Sequence, residues 1–183
     1  SIEQKDAFFL DSGLTYDSPL TLSSATKADP CVLTVTAHGL SDGDKVLVSG
    51  VKGMTELNTN SYLVSNSTTN TFEITDLEGN DIDSSAFTTY VSGGEVRKFV
   101  TTISGLDHLE GQVVDILADG AVQPSKTVSS GGVTLTTSAT TIHFGLGYNS
   151  DGKMLRLKAG AADGTAIGKT RRIHRVAFMF HRS

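Results

Sequence analysis

The apolar residues of this chain alternate with polar ones in short runs, and this spacing constrains the fold more than any other feature. In Cys31–Ala37, for example, the odd-numbered residues are Cys, Leu, Val and Ala. A repeat of two residues places successive side chains on opposite faces of a β-strand, whereas a helical face repeats every 3.6 residues. The Ala-rich stretch 159–168 is interrupted by glycines and predicts no helix. The sequence therefore predicts an all-β fold.

Turn-forming residues separate the runs closely. The chain contains 23 Thr, 20 Ser and 19 Gly; Thr favours strands, whereas Ser and Gly favour turns. Six short strands within about 70 residues, joined by short turns, predict a small β-barrel or a compact sandwich for residues 31–100. The six predicted strands are residues 31–37, 45–51, 61–67, 71–77, 87–90 and 93–100, with a hairpin loop at 66–70.

The rest of the chain has the same pattern and predicts a β-sandwich-like domain. Asp119-Gly120 lies between two β-rich runs and predicts a tight hairpin. Residues 132–148 predict two strands around a Ser/Thr turn. Residues 171–181 are apolar on both faces near their end, which predicts a buried central strand. Further apolar runs lie at residues 6–10 and 153–159.

Charge divides the chain into two parts. Residues 23–96 contain 10 acidic and 3 basic residues, whereas residues 97–183 contain 6 acidic and 11 basic residues. A closed barrel brings its two ends together, so it can be inserted into an exposed loop of another domain. We therefore predict an inserted small β-barrel at residues 24–97, within a β-sandwich-like host domain formed by residues 1–23 plus 98–183.

The stretches AHGLSDGDKVLVSGVKGMTELN and YLVSNSTTNTFEI resemble the FCCH β-domain, named after the first catalytic-cysteine half-domain of ubiquitin-activating enzymes. Copies of this module occur in bacteriophage structural proteins. His38-Gly39-Leu40 is expected to turn the chain out of the first strand, and Gly43-Asp44 to make the next reversal. Met54 and Leu57 are expected to fill an open end of the barrel. The resemblance does not imply ubiquitin activation, because no nucleotide-binding motif accompanies it.

A second resemblance covers the predicted host domain. FFLDSGLTY, ISGLDHLEGQVVDILADGAVQP, IHFGLGY and TRRIHRVAFMF resemble bacteriophage or prophage tail structural proteins of the tail nozzle, tail-tubular or stabilisation type. Such proteins are β-rich components of the virion, built of sheet modules around an axial channel. The resemblance implies that the 183 residues are a fragment of a longer chain.

Cys31 is the single cysteine, which excludes an internal disulfide and a multi-cysteine zinc site. No cation or helix start is evident beside it, so we expect a structural thiol rather than a nucleophile. No two histidines have the i, i+4 spacing of a zinc-protease motif, and we expect them in turns and on surfaces. The histidines are His38, His108, His143, His174 and His181.

Two charged clusters remain. Four carboxylates lie within residues 76–83, but their spacing departs from a calcium-binding EF-hand loop, so we expect a solvated hairpin tip. These carboxylates belong to Asp76, Glu78, Asp81 and Asp83. The basic run 169–175 is compatible with phosphate contact, yet strand alternation would divide its arginines between two faces. We predict no catalytic residue, no cofactor-binding residue and no metal ligand.

These features together predict a non-enzymatic structural component of a phage tail, acting through subunit assembly. The expected partners are other virion or tail subunits, in a homo-oligomeric ring, with phosphate, DNA or glycan contact left open and no membrane contact. The expected location is the virion, after synthesis in the bacterial cytoplasm, and no cofactor is expected. The alternative is a receptor- or glycan-binding module at a tail tip, against which the absence of Trp counts. A hydrolytic tail enzyme is a third reading.

Overall fold

The computed structural model describes residues 11–147, and this part of the chain is built of β-strands, which confirms the all-β prediction. Short 3₁₀ turns at Thr55–Leu57 and Asp107–Leu109 interrupt the strands. The described residues include no helix of the length and apolarity that crossing a bilayer requires. The strands are β1 (Asp11–Asp17), β2 (Leu20–Thr21), β3 (Ser24–Ala25), β4 (Val32–Thr34), β5 (Lys45–Lys52), β6 (Asn60–Ser65), β7 (Thr71–Thr75), β8 (Ser92–Lys98), β9 (Val100–Ser104), β10 (Val113–Ala118), β11 (Ala121–Thr127), β12 (Gly132–Ala139) and β13 (Thr141–Leu146).

Seven strands form one antiparallel sheet in the order β2-β8-β5-β6-β7-β4-β3. Its two outermost strands, β2 and β3, follow each other in the chain yet lie on opposite edges. Between them, the Leu22 N–H donates to the Gly94 carbonyl at 3.0 Å, and the Ser23 N–H donates to the Thr34 carbonyl at 2.8 Å. One extended segment, residues 20–25, therefore completes both edges and curls the sheet into a barrel-like form. We call it the closing segment.

The interior of this curled sheet is apolar, as the alternation along its strands predicts. Cys31, Leu33 and Val35, at alternate positions, are all buried. Met54, which precedes the first 3₁₀ turn, and Leu57, the last residue of that turn, have no exposed surface and belong to this interior. The buried core residues are Leu22, Cys31, Leu33, Val35, Leu40, Val46, Val48, Val51, Met54, Leu57, Tyr62, Val64, Phe72, Ile74 and Val96.

A second core lies between a four-stranded sheet, in the order β1-β13-β10-β11, and a two-stranded sheet formed by β12 and β9. Ile142 and Phe144 on β13 are buried together with Val133 on β12. The two sheets thus bury their inner faces against each other, in a sandwich-like arrangement. The predicted hairpin is confirmed, because Asp119 and Gly120 join β10 to β11 with φ angles of 48° and 79°.

Two predicted strand positions are wrong. Ala37 is exposed with a φ of 49°, because β4 ends at Thr34 and the Asn70 side chain accepts the Ala37 N–H at 2.9 Å. Residues 87–90 form no strand, because side-chain hydrogen bonds replace a ladder there: the Glu56 carboxylate accepts the Thr88 N–H at 2.8 Å. The two predicted strands around Thr140 are present, but β12 pairs with β9 while β13 pairs with β1 and β10.

The predicted division into a module at 24–97 and a host domain stays a prediction. The first sheet takes in Leu20–Thr21, which precede residue 24, because the closing segment has to reach β8. The predicted strands at 6–10, 153–159 and 171–181, and the Ala-rich stretch 159–168, lie outside the described residues.

Gly53 provides a test of this packing. Its φ is +88°, and a Cβ atom there would overlap the Thr89 carbonyl oxygen and the Val91 side chain. We expect Gly53→Ala to lower the free energy of unfolding by at least about 2 kcal/mol more than Gly79→Ala, because residue 79 has a φ of +90° with open space around it. Urea unfolding measures both. Equal losses would contradict the close approach at residue 53.

Candidate functional site

The Cys31 thiol is fully buried immediately before β4. Its Sγ lies 3.6 Å from the Thr26 carbonyl oxygen. Burial raises the pKa of the Cys31 thiol above its ordinary value, and a hydrogen bond with Ser84 opposes only part of that effect. Because the thiolate is the reactive form, this environment disfavours nucleophilic chemistry.

The described histidines lie apart from one another. His38 is buried after β4, where its Nδ1 accepts the Leu40 N–H at 3.0 Å and its ring meets the Phe72 ring edge-on, with centroids 5.0 Å apart. It thereby shapes the turn that the sequence predicted. The His38 Nε2 has no hydrogen-bond partner among residues 11–147. His108 is exposed on the second 3₁₀ turn, and the His143 Nδ1 lies 2.8 Å from the Thr15 hydroxyl. His174 and His181 lie outside the described residues.

The acidic cluster builds its own turn. The Asp76 carboxylate accepts the backbone N–H groups of Glu78 at 3.0 Å and Asn80 at 2.8 Å, and it also accepts the Asn80 side-chain amide. The Asn80 amide and these backbone groups lower the pKa of the Asp76 carboxyl. In the described part of the chain, no three His, Cys, Asp or Glu side chains are placed to hold a metal ion. The basic run 169–175 lies outside that part.

Asn58 holds the end of the curled sheet in a way that the sequence did not reveal. Its Oδ1 accepts the Val51 N–H at 2.8 Å, and its Nδ2 donates to the Val51 carbonyl at 2.9 Å. The side-chain amide thus pairs with β5 as a neighbouring strand would. The next residue, Thr59, has a φ of 62° and donates its N–H to the Val48 carbonyl at 2.8 Å.

Ser84 performs a similar task on the loop before β4. The side chain has no exposed surface, and its hydroxyl accepts the Ala28 N–H at 3.0 Å. The hydroxyl also lies 2.7 Å from the Thr26 carbonyl oxygen, to which it donates. The loop is therefore tied to the chain that follows β7.

Gln123 joins the two sheets of the second core. The pairing of β12 with β9 is interrupted between Thr134 and Ala139. At this interruption the Gln123 Oε1 accepts the N–H groups of Thr136 at 3.0 Å and Thr137 at 3.2 Å. The Gln123 Nε2 donates to the Thr137 carbonyl at 2.8 Å. A side chain of β11 thus supplies the hydrogen bonds that β9 leaves unmade.

A groove of about 480 Å³ lies beside this junction, bounded by the end of β11, the turn that follows it, β12 and β9. Lys126 is the single charged residue of its lining, which consists of described residues. The Lys126 side chain is half-buried and makes no hydrogen bond or ion pair with residues 11–147. Six hydroxyl side chains share the lining: Thr102, Ser104, Thr127, Ser129, Ser130 and Thr134. Sequence patterns gave no signal for this groove, because its residues come from three separate strands.

Three other basic side chains among the described residues interact with acidic or aromatic side chains. The Arg97 guanidinium lies 3.0 Å from the Asp17 carboxylate and 2.7 Å from that of Glu95. The hydrogen bond with Asp17 raises the pKa of Arg97. The Lys98 ammonium lies 2.6 Å from the Asp44 carboxylate. The Lys45 ammonium lies over the Phe99 ring, 4.5 Å from its centroid.

Part of this chain is similar to a known protein family. Residues 30–99 match the family described as the ubiquitin-activating enzyme E1 FCCH domain, which supports the FCCH-like module. The match runs from Pro30, just before β4, to Phe99, just after β8. It leaves out the closing segment. No curated protein matches the chain.

Asn58 and Asn70 form a matched pair for mutation. Asn58→Asp removes the donor to the Val51 carbonyl and places a carboxylate against that oxygen, so we expect unfolding to become easier by about 1–3 kcal/mol. Asn70→Asp adds the same charge but keeps the oxygen that accepts the Ala37 N–H, so we expect a change below about 0.5 kcal/mol. Urea denaturation compares them. A harmless Asn58→Asp would show that the amide pairing does not support the fold.

Cys31 should resist thiol reagents in the folded protein. At pH 8.5, where an exposed thiol is about half ionised, we expect labelling by a disulfide reagent to proceed at the rate of local or global unfolding. Labelling in increasing urea measures that dependence, with the fully unfolded chain as the control. Complete labelling within seconds in native buffer would contradict the buried, protonated thiol.

Proposed function

We propose that this chain is a non-enzymatic structural component of a phage tail and acts through assembly with neighbouring subunits. The observation that carries the proposal is the use made of its polar side chains. The side chains of Asn58, Ser84 and Gln123 form hydrogen bonds with backbone groups of the same chain. These hydrogen bonds fix the ends of strands and the junctions between sheets. Such side chains preserve the shape of a surface, which is what a subunit contact requires.

Charge supports the proposal independently. Residues 11–147 contain 16 acidic and 6 basic residues, a net charge of −10, whereas the whole chain has −5. The residues on either side therefore supply +5. Charges of opposite sign on different parts of one subunit steer copies toward each other and fix their orientation. In a closed ring, cyclic symmetry repeats each weak contact around the axis.

The FCCH-like module fits this role without bringing chemistry to it. The sequence resembles tail structural proteins in the spans flanking the module, and copies of the module occur in phage structural proteins. The partners that we propose are other virion or tail subunits, and the location is the virion, after synthesis in the bacterial cytoplasm.

A receptor- or glycan-binding module at a tail tip is the second candidate. The Lys126 groove favours it, because an open concavity lined by hydroxyl side chains offers both donors and acceptors of hydrogen bonds.

The assembly proposal is tested by the mass of the particles that the chain forms. We expect light scattering after gel filtration to show oligomers at about 50 mM salt that dissociate as salt approaches about 500 mM, because contacts between exposed charges are screened over about a Debye length. Mass spectrometry of purified phage particles should detect peptides of this chain. A monomer at every salt and protein concentration, together with absence from particles, would overturn the proposal.

A further inference from the structure

We propose that the Lys126 groove binds an acidic saccharide, with the sugar carboxylate at the Lys126 ammonium and the sugar hydroxyls on the surrounding Ser and Thr side chains. The inference deepens the second candidate function and does not depend on the assembly role.

The first argument is the state of the cation. Lys126 is half-buried, yet no carboxylate lines the groove and the ammonium makes no ion pair with the described residues. An anion is the group with which an ammonium that has no ion pair forms its strongest hydrogen bonds. The Asp107 carboxylate lies against Gly131 on the adjoining turn, and the Glu110 carboxylate accepts the N–H groups of Ser130 and Gly131 at 3.0 and 2.8 Å. The Glu110 carboxylate therefore already has partners of its own.

The second argument is the set of hydroxyl groups. None of the six lining hydroxyls makes a side-chain hydrogen bond within residues 11–147, whereas buried hydroxyls such as that of Ser84 are fully used. Each free hydroxyl can donate one hydrogen bond and accept two, which suits the hydroxyl groups of a sugar ring. The volume of about 480 Å³ lies within the range of small-molecule sites.

The lining also sets the kind of saccharide. It contains no aromatic side chain, so it offers no ring for a sugar face to stack upon. Binding therefore depends on the ion pair, and a neutral sugar lacks the group that Lys126 requires. A free inorganic anion would satisfy Lys126 but would leave most of the hydroxyls unused.

The experiment titrates the full 183-residue chain with three probes and follows the amide signals by NMR. The probes are a digalacturonic acid, the corresponding neutral digalactose and inorganic phosphate. We expect saturable shifts at Thr102, Thr127 and Thr134 with the uronic acid only, weakened at least about tenfold in Lys126→Gln. The matched control is Lys52→Gln, which removes an exposed lysine on β5 and should leave the affinity unchanged.

Each other outcome overturns the proposal. No shift with the uronic acid, or equal affinity in Lys126→Gln, would mean that the groove does not recognise acidic sugars. An equal response to phosphate would assign it to simple oxyanions. The oligomer mass of Lys126→Gln separates this site from assembly: we expect it to equal that of the unmodified chain. A smaller oligomer mass for Lys126→Gln would place Lys126 at a subunit contact instead.

Discussion

One constraint governs the structure: each backbone N–H and C=O group at a sheet edge or at an interruption of a sheet needs a hydrogen-bond partner. Where strands run in register, neighbouring strands meet that need. Where they do not, particular side chains take over: Asn58 at the end of β5, Gln123 at the gap in β12, and Asp119 at the corner before β13, where its carboxylate accepts the N–H groups of Thr140 and Thr141. At these places the side chains give the backbone groups named here their hydrogen-bond partners, so the short strands can turn sharply.

The same requirement separates what could be predicted from the sequence from what could not. Alternation predicted the buried positions Cys31, Leu33 and Val35, and the Asp119-Gly120 pair predicted its hairpin, because both signals are local. Residues 87–90 have strand-like composition, but hydrogen bonds to Glu56 and to the closing segment hold them outside a ladder. Those partners are distant in the sequence, so no local pattern reports them.

The candidate site was hidden for a related reason. Thr102, Lys126 and Thr134 lie on separate strands, and none of those strands carries a local pattern that indicates a site. They line one groove only because β9, β11 and β12 meet. The residues that the sequence did single out, the acidic cluster and the lone cysteine, prove to serve turns and packing. Chemical residue types in a β-rich chain are thus a weaker guide than the junctions between its sheets.

The closing segment has a consequence for how the FCCH-like module should be handled in isolation. The family match begins at residue 30, after this segment has ended. A polypeptide trimmed to the family boundaries would leave β8 and β4 with bare outer edges, and bare edges recruit strands from other molecules. The segment that completes both edges of this sheet precedes the family match. The stretch that sequence comparison recognises is therefore shorter than the stretch that forms the complete sheet.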